Sequence, residues 1–221
     1  MNRKIFRSDE INRLMAAIDA ALTGKVELLL IGGGAMSARG EKTATKDIDI
    51  VFTRKRELEL FLRALSMLGF NELEDPGRVY RKMATRIFVD LEGHWLDIFF
   101  KRICKMFLVH KDVLERAEEY LRLEHLKVLL MSREDIFITK SVTEREGDLE
   151  DMYTLYTRGL DERSLIDEVA YQAAHSNRIW ESFLVVRMDE LERKFDVTVG
   201  FKNRLERRAV RKMEKLARKD E

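Results

Sequence analysis

The fold is decided by two stretches, VELLLIGGGAM at residues 26–36 and TKDIDIVF at residues 45–52. The first is an apolar run that ends in glycines, which is typical of a buried strand followed by a turn into a helix. In the second, Asp47 and Asp49 lie two residues apart in an apolar strand, so their side chains are expected on one face of a sheet. Adjacent carboxylates repel each other unless a cation lies between them. The sequence therefore predicts a divalent metal site beside a glycine turn, where helix-end amides also bind phosphate.

The same residues carry a resemblance to a known family. A strand, Gly-Gly, a short helix and then Asp-x-Asp resemble the nucleotidyltransferase superfamily related to DNA polymerase β. The chain is more specifically similar to the branch with AbiEii and MenT-type toxins, written Gly-Gly-x-Ala, then Gly, then Thr-x-Asp-Ile-Asp. The matching residues are Gly32, Gly33, Ala35, Gly40, Thr45, Asp47, Ile48 and Asp49. The resemblance implies an enzyme that uses Mg²⁺, or Mn²⁺, to transfer a nucleoside monophosphate from an NTP to a hydroxyl, in a toxin–antitoxin setting.

In that superfamily a third carboxylate lies on a neighbouring strand, and the sequence offers two candidates. Asp97 interrupts an otherwise apolar strand at residues 94–100, and this local inconsistency favours a site residue. Asp90 is followed closely by Glu92-Gly93, an order typical of a hairpin turn. We predict that Asp97 is the metal ligand and accepts the proton of the attacking hydroxyl, and that Asp90 is a turn residue.

A second constellation lies in the charged segment of residues 138–152. From composition alone it reads as a solvated helix face. By resemblance it is the second motif of the AbiEii-like branch, in which Lys140 faces the triphosphate, Asp148 and Asp151 support the site and Arg145 is a second cation. As a surface-type lysine, Lys140 is expected to be replaceable by alanine without loss of folding.

Within the superfamily, the alternative to the AbiEii-like branch is the group of short, minimal nucleotidyltransferases. Arg39-Gly40-Glu41 also resembles the short nucleotidyltransferases that act as antitoxins, but the extra helical region that carries Lys140 favours the longer branch. The nucleotide-binding residues that the resemblance implies are Gly32, Gly33, Thr45, Lys140, Arg145, Asp148 and Asp151.

Charge and composition exclude other classes. The chain has 221 residues with 41 basic and 40 acidic side chains, so no overall field draws it to nucleic acid or to a membrane. One cysteine, Cys104, cannot form an internal disulfide. No apolar run approaches a membrane span and none follows the basic start at residues 1–7, so a cytoplasmic location is expected.

Hydrophobic periodicity predicts an α/β (α+β) fold, with a mixed sheet, flanking helices and a C-terminal helical region. The boundary is expected near residue 131, between a catalytic domain at 1–131 and a helical domain at 132–221 that completes the nucleotide site. Strands are predicted at 26–31, 47–53, 78–82, 85–91, 94–100 and 126–131. Helices are predicted at 9–22, 34–40, 55–68, 147–158, 161–175, 178–194 and 201–218, with a further one capped by Ser132.

The charge of the predicted C-terminal helix bears on the identity of the acceptor. Between Lys202 and Lys219 basic residues far outnumber acidic ones, which indicates either a solvated face or a surface that follows an RNA backbone. An RNA or tRNA end, a protein hydroxyl and a small molecule all remain as acceptors, and an antitoxin is a further predicted partner. The rival interpretations are a non-catalytic nucleotide-binding module on the same fold and an RNA-binding protein that acts through its tail.

Overall fold

A computed structural model describes residues 3–74, 85–143, 145 and 147–217, with the backbone alone for 215–217. The chain divides into two compact units, Met1–Ser132 and Arg133–Glu221. Each unit is built differently: the first around a sheet, the second from helices.

The described residues of the first unit form a seven-stranded mixed sheet with the order β3-β4-β5-β2-β1-β9-β8. Its strands are β1 (Val26–Ile31), β2 (Ile48–Phe52), β3 (Asn71–Glu72), β4 (Arg86–Val89), β5 (Trp95–Phe100), β8 (Glu118–Arg122) and β9 (Leu126–Leu130). β6 (Arg102–Ile103) and β7 (Phe107–Leu108) form a separate two-stranded ribbon. β2 lies between β1, to which it is antiparallel, and β5, to which it is parallel. These three neighbouring strands position the candidate site.

The first unit also contains four helices among its described residues. They are α1 (Ser8–Ala21), α2 (Gly32–Ala38), α3 (Lys55–Met67) and α4 (Lys111–Glu115). In α1 the buried residues Ile11, Met15 and Ile18 recur at helical spacing, which places one face of the helix in the core. α2 begins directly after β1, so the first turn of this helix lies at the C-terminal end of that inner strand.

The second unit consists of packed helices among its described residues. These are α5 (Arg133–Ser141), α6 (Asp148–Thr157), α7 (Glu162–Ala174), α8 (Trp180–Phe195) and α9 (Lys202–Ala217). Their shared core contains large buried side chains, among them Phe137, Trp180 and Phe201. The unit has its own hydrophobic core, as an independent domain would.

The predicted fold class is confirmed: a mixed sheet, flanking helices and a helical C-terminal part. Several elements differ from the prediction, and the short elements β3, β6, β7 and α4 were not predicted. α2 begins at Gly32 and not at residue 34, and β8 was missed because its charged sequence, EEYLR, lacks an apolar alternation. The predicted strand at 78–82 lies outside the described residues. Within the described part of the chain, none of the helices has the length and apolar character needed to span a bilayer.

Candidate active site

Glycines at the start of α2 let the backbone approach two polar side chains. Gly32 has φ +56°, and a Cβ there would lie 2.9 Å from Asp49 Oδ2. A Cβ on Gly33 would lie 2.7 Å from Thr45 Oγ1. Both distances are shorter than real Cβ contacts, so a larger residue would push Asp49 or Thr45 away. The turn therefore forms a cradle between a helix N-terminus and the carboxylate of Asp49.

Asp49 and Asp97 lie side by side. They are register partners on the parallel strands β2 and β5, so their side chains project from the same face of the sheet. Asp97 is fully buried, and its Oδ1 accepts a hydrogen bond of 3.0 Å from Trp95 Nε1, two residues earlier on the same strand. The structure thus places the two predicted carboxylates together, beside the glycine turn.

Asp47 lies just before β2 and has a different environment. Its backbone carbonyl accepts a 3.0 Å hydrogen bond from Thr45 Oγ1. Its carboxylate forms an ion pair with Arg3, with 3.4 Å between Oδ2 and Nη1. The Arg3 guanidinium also lies 3.9 Å above the centre of the Trp95 ring, in a cation–π contact.

Sequence reasoning missed Arg3. Its segment is fixed by Phe6, which exchanges backbone hydrogen bonds of 2.7 and 2.8 Å with Thr45, and by Lys4, whose amide donates to the Gly93 carbonyl at 2.9 Å. These pairings connect residues far apart in the chain, so no local pattern reveals them. They bring a cation to the Asp47 carboxylate.

Asp90 has the turn role that the sequence predicts. Its Oδ1 accepts hydrogen bonds from the backbone amides of Glu92 at 3.0 Å and His94 at 2.8 Å, while Oδ2 contacts the His94 ring. Burial raises the pKa of the Asp90 carboxyl, but the hydrogen bonds from His94 and Glu92 outweigh it and leave that pKa below its ordinary value. Asp90 therefore fixes the hairpin between β4 and β5.

Asp49 and Asp97 fit a divalent ion in donor type, and they are neighbours on parallel strands. Carboxylate oxygens are the ligands that Mg²⁺ prefers. Among the described residues, no group of three His, Cys, Asp or Glu side chains is gathered as a metal site would be. The convergence of Asp47 with the other two carboxylates stays a prediction, which requires Asp47 to exchange its contact with Arg3 for the ion.

The helical unit holds the second predicted cluster. Lys140 Nζ lies 2.7 Å from Asp148 Oδ1 and 2.8 Å from Asp151 Oδ2. Asp148 Oδ2 also accepts hydrogen bonds from Thr143 Oγ1 at 2.7 Å and from the Arg145 amide at 3.1 Å. This hydrogen bond comes from the backbone of Arg145 and joins it to the first residue of α6.

The description of Lys140 as a surface-type lysine is wrong. Its side chain is 16% exposed, and those of Asp148 and Asp151 are 3% and 7% exposed. Burial lowers the pKa of Lys140, but the charges and hydrogen bonds of Asp151 and Asp148 more than compensate, and the pKa is raised above its ordinary value. Lys140 is thus a mostly buried cation between two buried carboxylates, and we expect it to contribute to the stability of this unit.

The cradle at Gly32 leads to a prediction. Gly32→Ala should destabilise the fold by about 1–2 kcal/mol, because a non-glycine residue is strained at positive φ, and it should also displace the Asp49 carboxylate. The matched control is Gly69→Ala, since Gly69 has φ +82° but a Cβ added there would meet no atom within 4 Å. Thermal unfolding should shift in both variants, whereas the transfer activity that the resemblance implies should fall only in Gly32→Ala. Equal activity in the two variants would mean that the approach to Asp49 does not matter.

Comparison with known proteins places the chain in a family. Residues 9–182 match the family described as nucleotidyltransferase of unknown function (DUF6036). This span covers most of the chain, so the protein belongs to that family. A comparison with curated proteins gives no match. Membership supports the superfamily, a transferase activity and an NTP substrate; the AbiEii and MenT-type branch stays a prediction.

Proposed function

We propose that this protein is a Mg²⁺-dependent nucleotidyltransferase that moves a nucleoside monophosphate from an NTP to an acceptor hydroxyl. The observation that carries the proposal is the register of Asp49 with Asp97, next to the glycine cradle at Gly32. The family supports the transferase class. The metal, the acceptor and the residue roles belong to the proposal.

In this reaction the acceptor oxygen forms a bond to the α-phosphorus, the bond from that phosphorus to the bridging oxygen breaks, and pyrophosphate leaves. Asp47, Asp49 and Asp97 would hold the divalent ions, which supply Lewis-acid stabilisation of the phosphate charge. Asp97 takes the acceptor proton. The Gly32 and Gly33 amides bind the β and γ phosphates at the start of α2, and Thr45 fixes the backbone of Asp47.

Lys140 is proposed to face the pyrophosphate. An ammonium group has three N–H donors, and two of them point to Asp148 and Asp151. The third can donate to a phosphate oxygen, while the two aspartates hold the amine in place and keep it charged. In this role Asp148 and Asp151 are positioning residues.

The direct experiment is incubation of the protein with Mg²⁺ and each of the four α-labelled NTPs, with total RNA and cell lysate as acceptors. Label should appear in RNA, protein or a small molecule, and the labelled fraction identifies the acceptor class. Absence of label from every fraction, with all four NTPs, would favour the non-catalytic alternative.

A toxin role is part of the proposal and has its own readout. If transfer inactivates an essential RNA or protein, expression of the protein should arrest growth, and expression of Asp49→Asn should not. An antitoxin would relieve the arrest. Normal growth in cells with active enzyme would remove the toxin role and leave the transfer reaction.

If the acceptor is RNA, α9 is a candidate binding surface, and its described basic side chains from 202 to 214 form two groups. Lys202, Arg204, Arg208 and Lys212 pair with acidic residues of α7 and α8. Arg207 and Arg211 are exposed and form no ion pair with any residue that the structure describes. The RNA surface predicted from the sequence is therefore reduced to these two arginines in the described part of the helix.

Arg207→Gln with Arg211→Gln should weaken RNA binding and reduce the slope of log K against log salt by about 0.7 for each lost phosphate contact. Arg204→Gln is the control, because Arg204 already pairs with Glu162. NTP binding should not change. A salt slope identical to that of the unmodified protein would assign α9 to an ordinary solvated face.

A further inference from the structure

An ion pair with Arg3 holds the carboxylate of Asp47. Oδ2 of Asp47 lies 3.4 Å from Nη1 of Arg3, and the two side chains are 18% and 30% exposed. Asp49 and Asp97 are register partners on adjacent strands. One of the three carboxylates predicted to bind a metal is therefore paired with a cation that belongs to the chain itself.

The segment that carries Arg3 is fixed to the first unit by its backbone. The Lys4 amide donates to the Gly93 carbonyl at 2.9 Å, and Phe6 exchanges two backbone hydrogen bonds with Thr45. Phe6 is also fully buried. Arg3 comes just before these anchors, so its long side chain can leave the carboxylate by rotation about its own bonds while the anchored residues stay in place.

Trp95 connects Arg3 with Asp97. The Arg3 guanidinium lies 3.9 Å above the centre of the Trp95 ring, and the indole Nε1 of the same residue donates a 3.0 Å hydrogen bond to Asp97 Oδ1. Hydrogen-bond partners of metal-binding side chains orient these side chains and set the affinity of the site for its ion. Trp95 therefore contacts one predicted ligand directly and the cation that holds another.

The two contacts have opposite consequences for a divalent ion. The hydrogen bond from Trp95 orients Asp97, whereas the positive charge of Arg3 repels an ion that approaches Asp47 and competes with it for the same oxygen. A divalent ion carries twice the charge of a guanidinium and binds several carboxylates at once. It should therefore displace Arg3 when Asp49 and Asp97 bind it as well.

We propose that Arg3 is a resident counter-ion of Asp47 that limits how strongly the site binds a divalent metal, and that Trp95 is a positioning residue for Asp97. When the metal binds, the Arg3 side chain leaves Asp47 and the carboxylate turns to the ion. The inference rests on the metal site of the proposed function, and it adds two residues that lie outside the glycine and aspartate motif.

The test is the affinity of the full chain for Mn²⁺ without nucleotide, measured from the electron paramagnetic resonance signal of free Mn²⁺. Arg3→Met removes the charge, so the Kd should fall roughly 3- to 5-fold, as for the loss of a partly exposed ion pair. Arg3→Lys keeps a positive charge and should bind Mn²⁺ nearly as the unmodified protein does. If Arg3 had only a structural role, its replacement by methionine would not tighten binding.

Lys4→Met is the matched control, because it removes the same charge from the next residue in the chain. The ion pair that Lys4 forms within the described part of the chain is with Glu92, at 3.0 Å, in the turn between β4 and β5. This variant should bind Mn²⁺ with the affinity of the unmodified protein.

Trp95→Phe should have the opposite effect to Arg3→Met. Phenylalanine keeps an aromatic ring beside the guanidinium but has no N–H, so Asp97 loses its hydrogen bond. The Kd for Mn²⁺ should rise ~10-fold, at the lower end of the usual loss for such a partner. Thermal unfolding of the same samples shows whether each variant is folded.

The results separate this inference from the proposed function. If Asp49→Asn abolishes Mn²⁺ binding but Arg3→Met binds the ion no more tightly than the unmodified protein, the inference is overturned and the metal site remains. It is also overturned if Lys4→Met tightens binding as much as Arg3→Met does, or if Trp95→Phe binds Mn²⁺ normally. Absence of Mn²⁺ binding from both the unmodified protein and Arg3→Met would overturn the inference together with the metal site.

Discussion

Asp49→Asn and Asp97→Asn are each expected to lower nucleotidyl transfer on the order of 10³-fold or more, the largest functional effect that the structure predicts. Both residues would bind the metal, and a metal that stabilises phosphate charge contributes several kcal/mol to the barrier. Asparagine keeps the shape of aspartate, and at residue 97 it keeps an oxygen that can accept the Trp95 hydrogen bond. Single-turnover transfer and thermal unfolding, measured on the same samples, separate catalysis from folding.

Asp90→Asn is the matched control for these variants. Asp90 makes its hydrogen bonds within the hairpin turn, with Glu92 and His94. Its replacement should destabilise the fold by about 1–2 kcal/mol and leave the rate of transfer unchanged. Normal transfer by Asp97→Asn together with inactive Asp90→Asn would reverse the assignment of the third carboxylate.

Lys140→Met is expected to destabilise the helical unit by about 3–5 kcal/mol, because it leaves two buried carboxylates next to each other without their cation. This is the largest effect on stability that the structure predicts. Chemical denaturation is the measurement. Lys111→Met is the control, because the Lys111 side chain is 83% exposed and its pair with Glu115 is screened by solvent, so its loss should change stability very little.

The loss of stability must be separated from the role of the amine in transfer. The triple variant Lys140→Met, Asp148→Asn, Asp151→Asn removes the cation and both charges, so it should recover much of the stability. Its transfer rate should still be lower by ~10²-fold, a typical loss for one electrostatic stabiliser. A stable triple variant with normal transfer would restrict Lys140 to a structural role.

Most of the fold could be predicted because the helices and strands that form the core have a clear apolar periodicity in their sequences. β1, α1 and α3 each show their pattern within their own residues, and the structure places them within one or two residues of the prediction. β8 could not be found this way. It is an edge strand whose side chains are mostly polar, and among the described strands it pairs with β9 alone.

A site residue could be predicted from the sequence where a charged side chain interrupts an apolar strand. A buried aspartate in a strand of aromatic and aliphatic residues has no local reason to be there, and this conflict singles out Asp97. Arg3 gave no such signal, because an arginine near the start of a chain is ordinary and its partner is 44 residues away.

The burial of Lys140 was also hidden from the sequence. A charged segment is usually a solvated face, but the packing of α6 beside α5 brings Asp148 and Asp151 onto the lysine. Tertiary contacts of this kind decide whether a charge is exposed, and they cannot be derived from helical spacing.

The most direct test of the central claim is a crystal structure with Mn²⁺ and a non-hydrolysable NTP, in which anomalous scattering locates the metal. We expect Mn²⁺ bound by carboxylate oxygens of Asp49 and Asp97 at ~2.1–2.2 Å, as is usual for a small divalent ion, with Asp47 turned from Arg3 to the ion and the triphosphate at the Gly32 turn. Mn²⁺ found elsewhere, or a triphosphate bound away from Gly32 with Asp47 still paired to Arg3, would contradict the account.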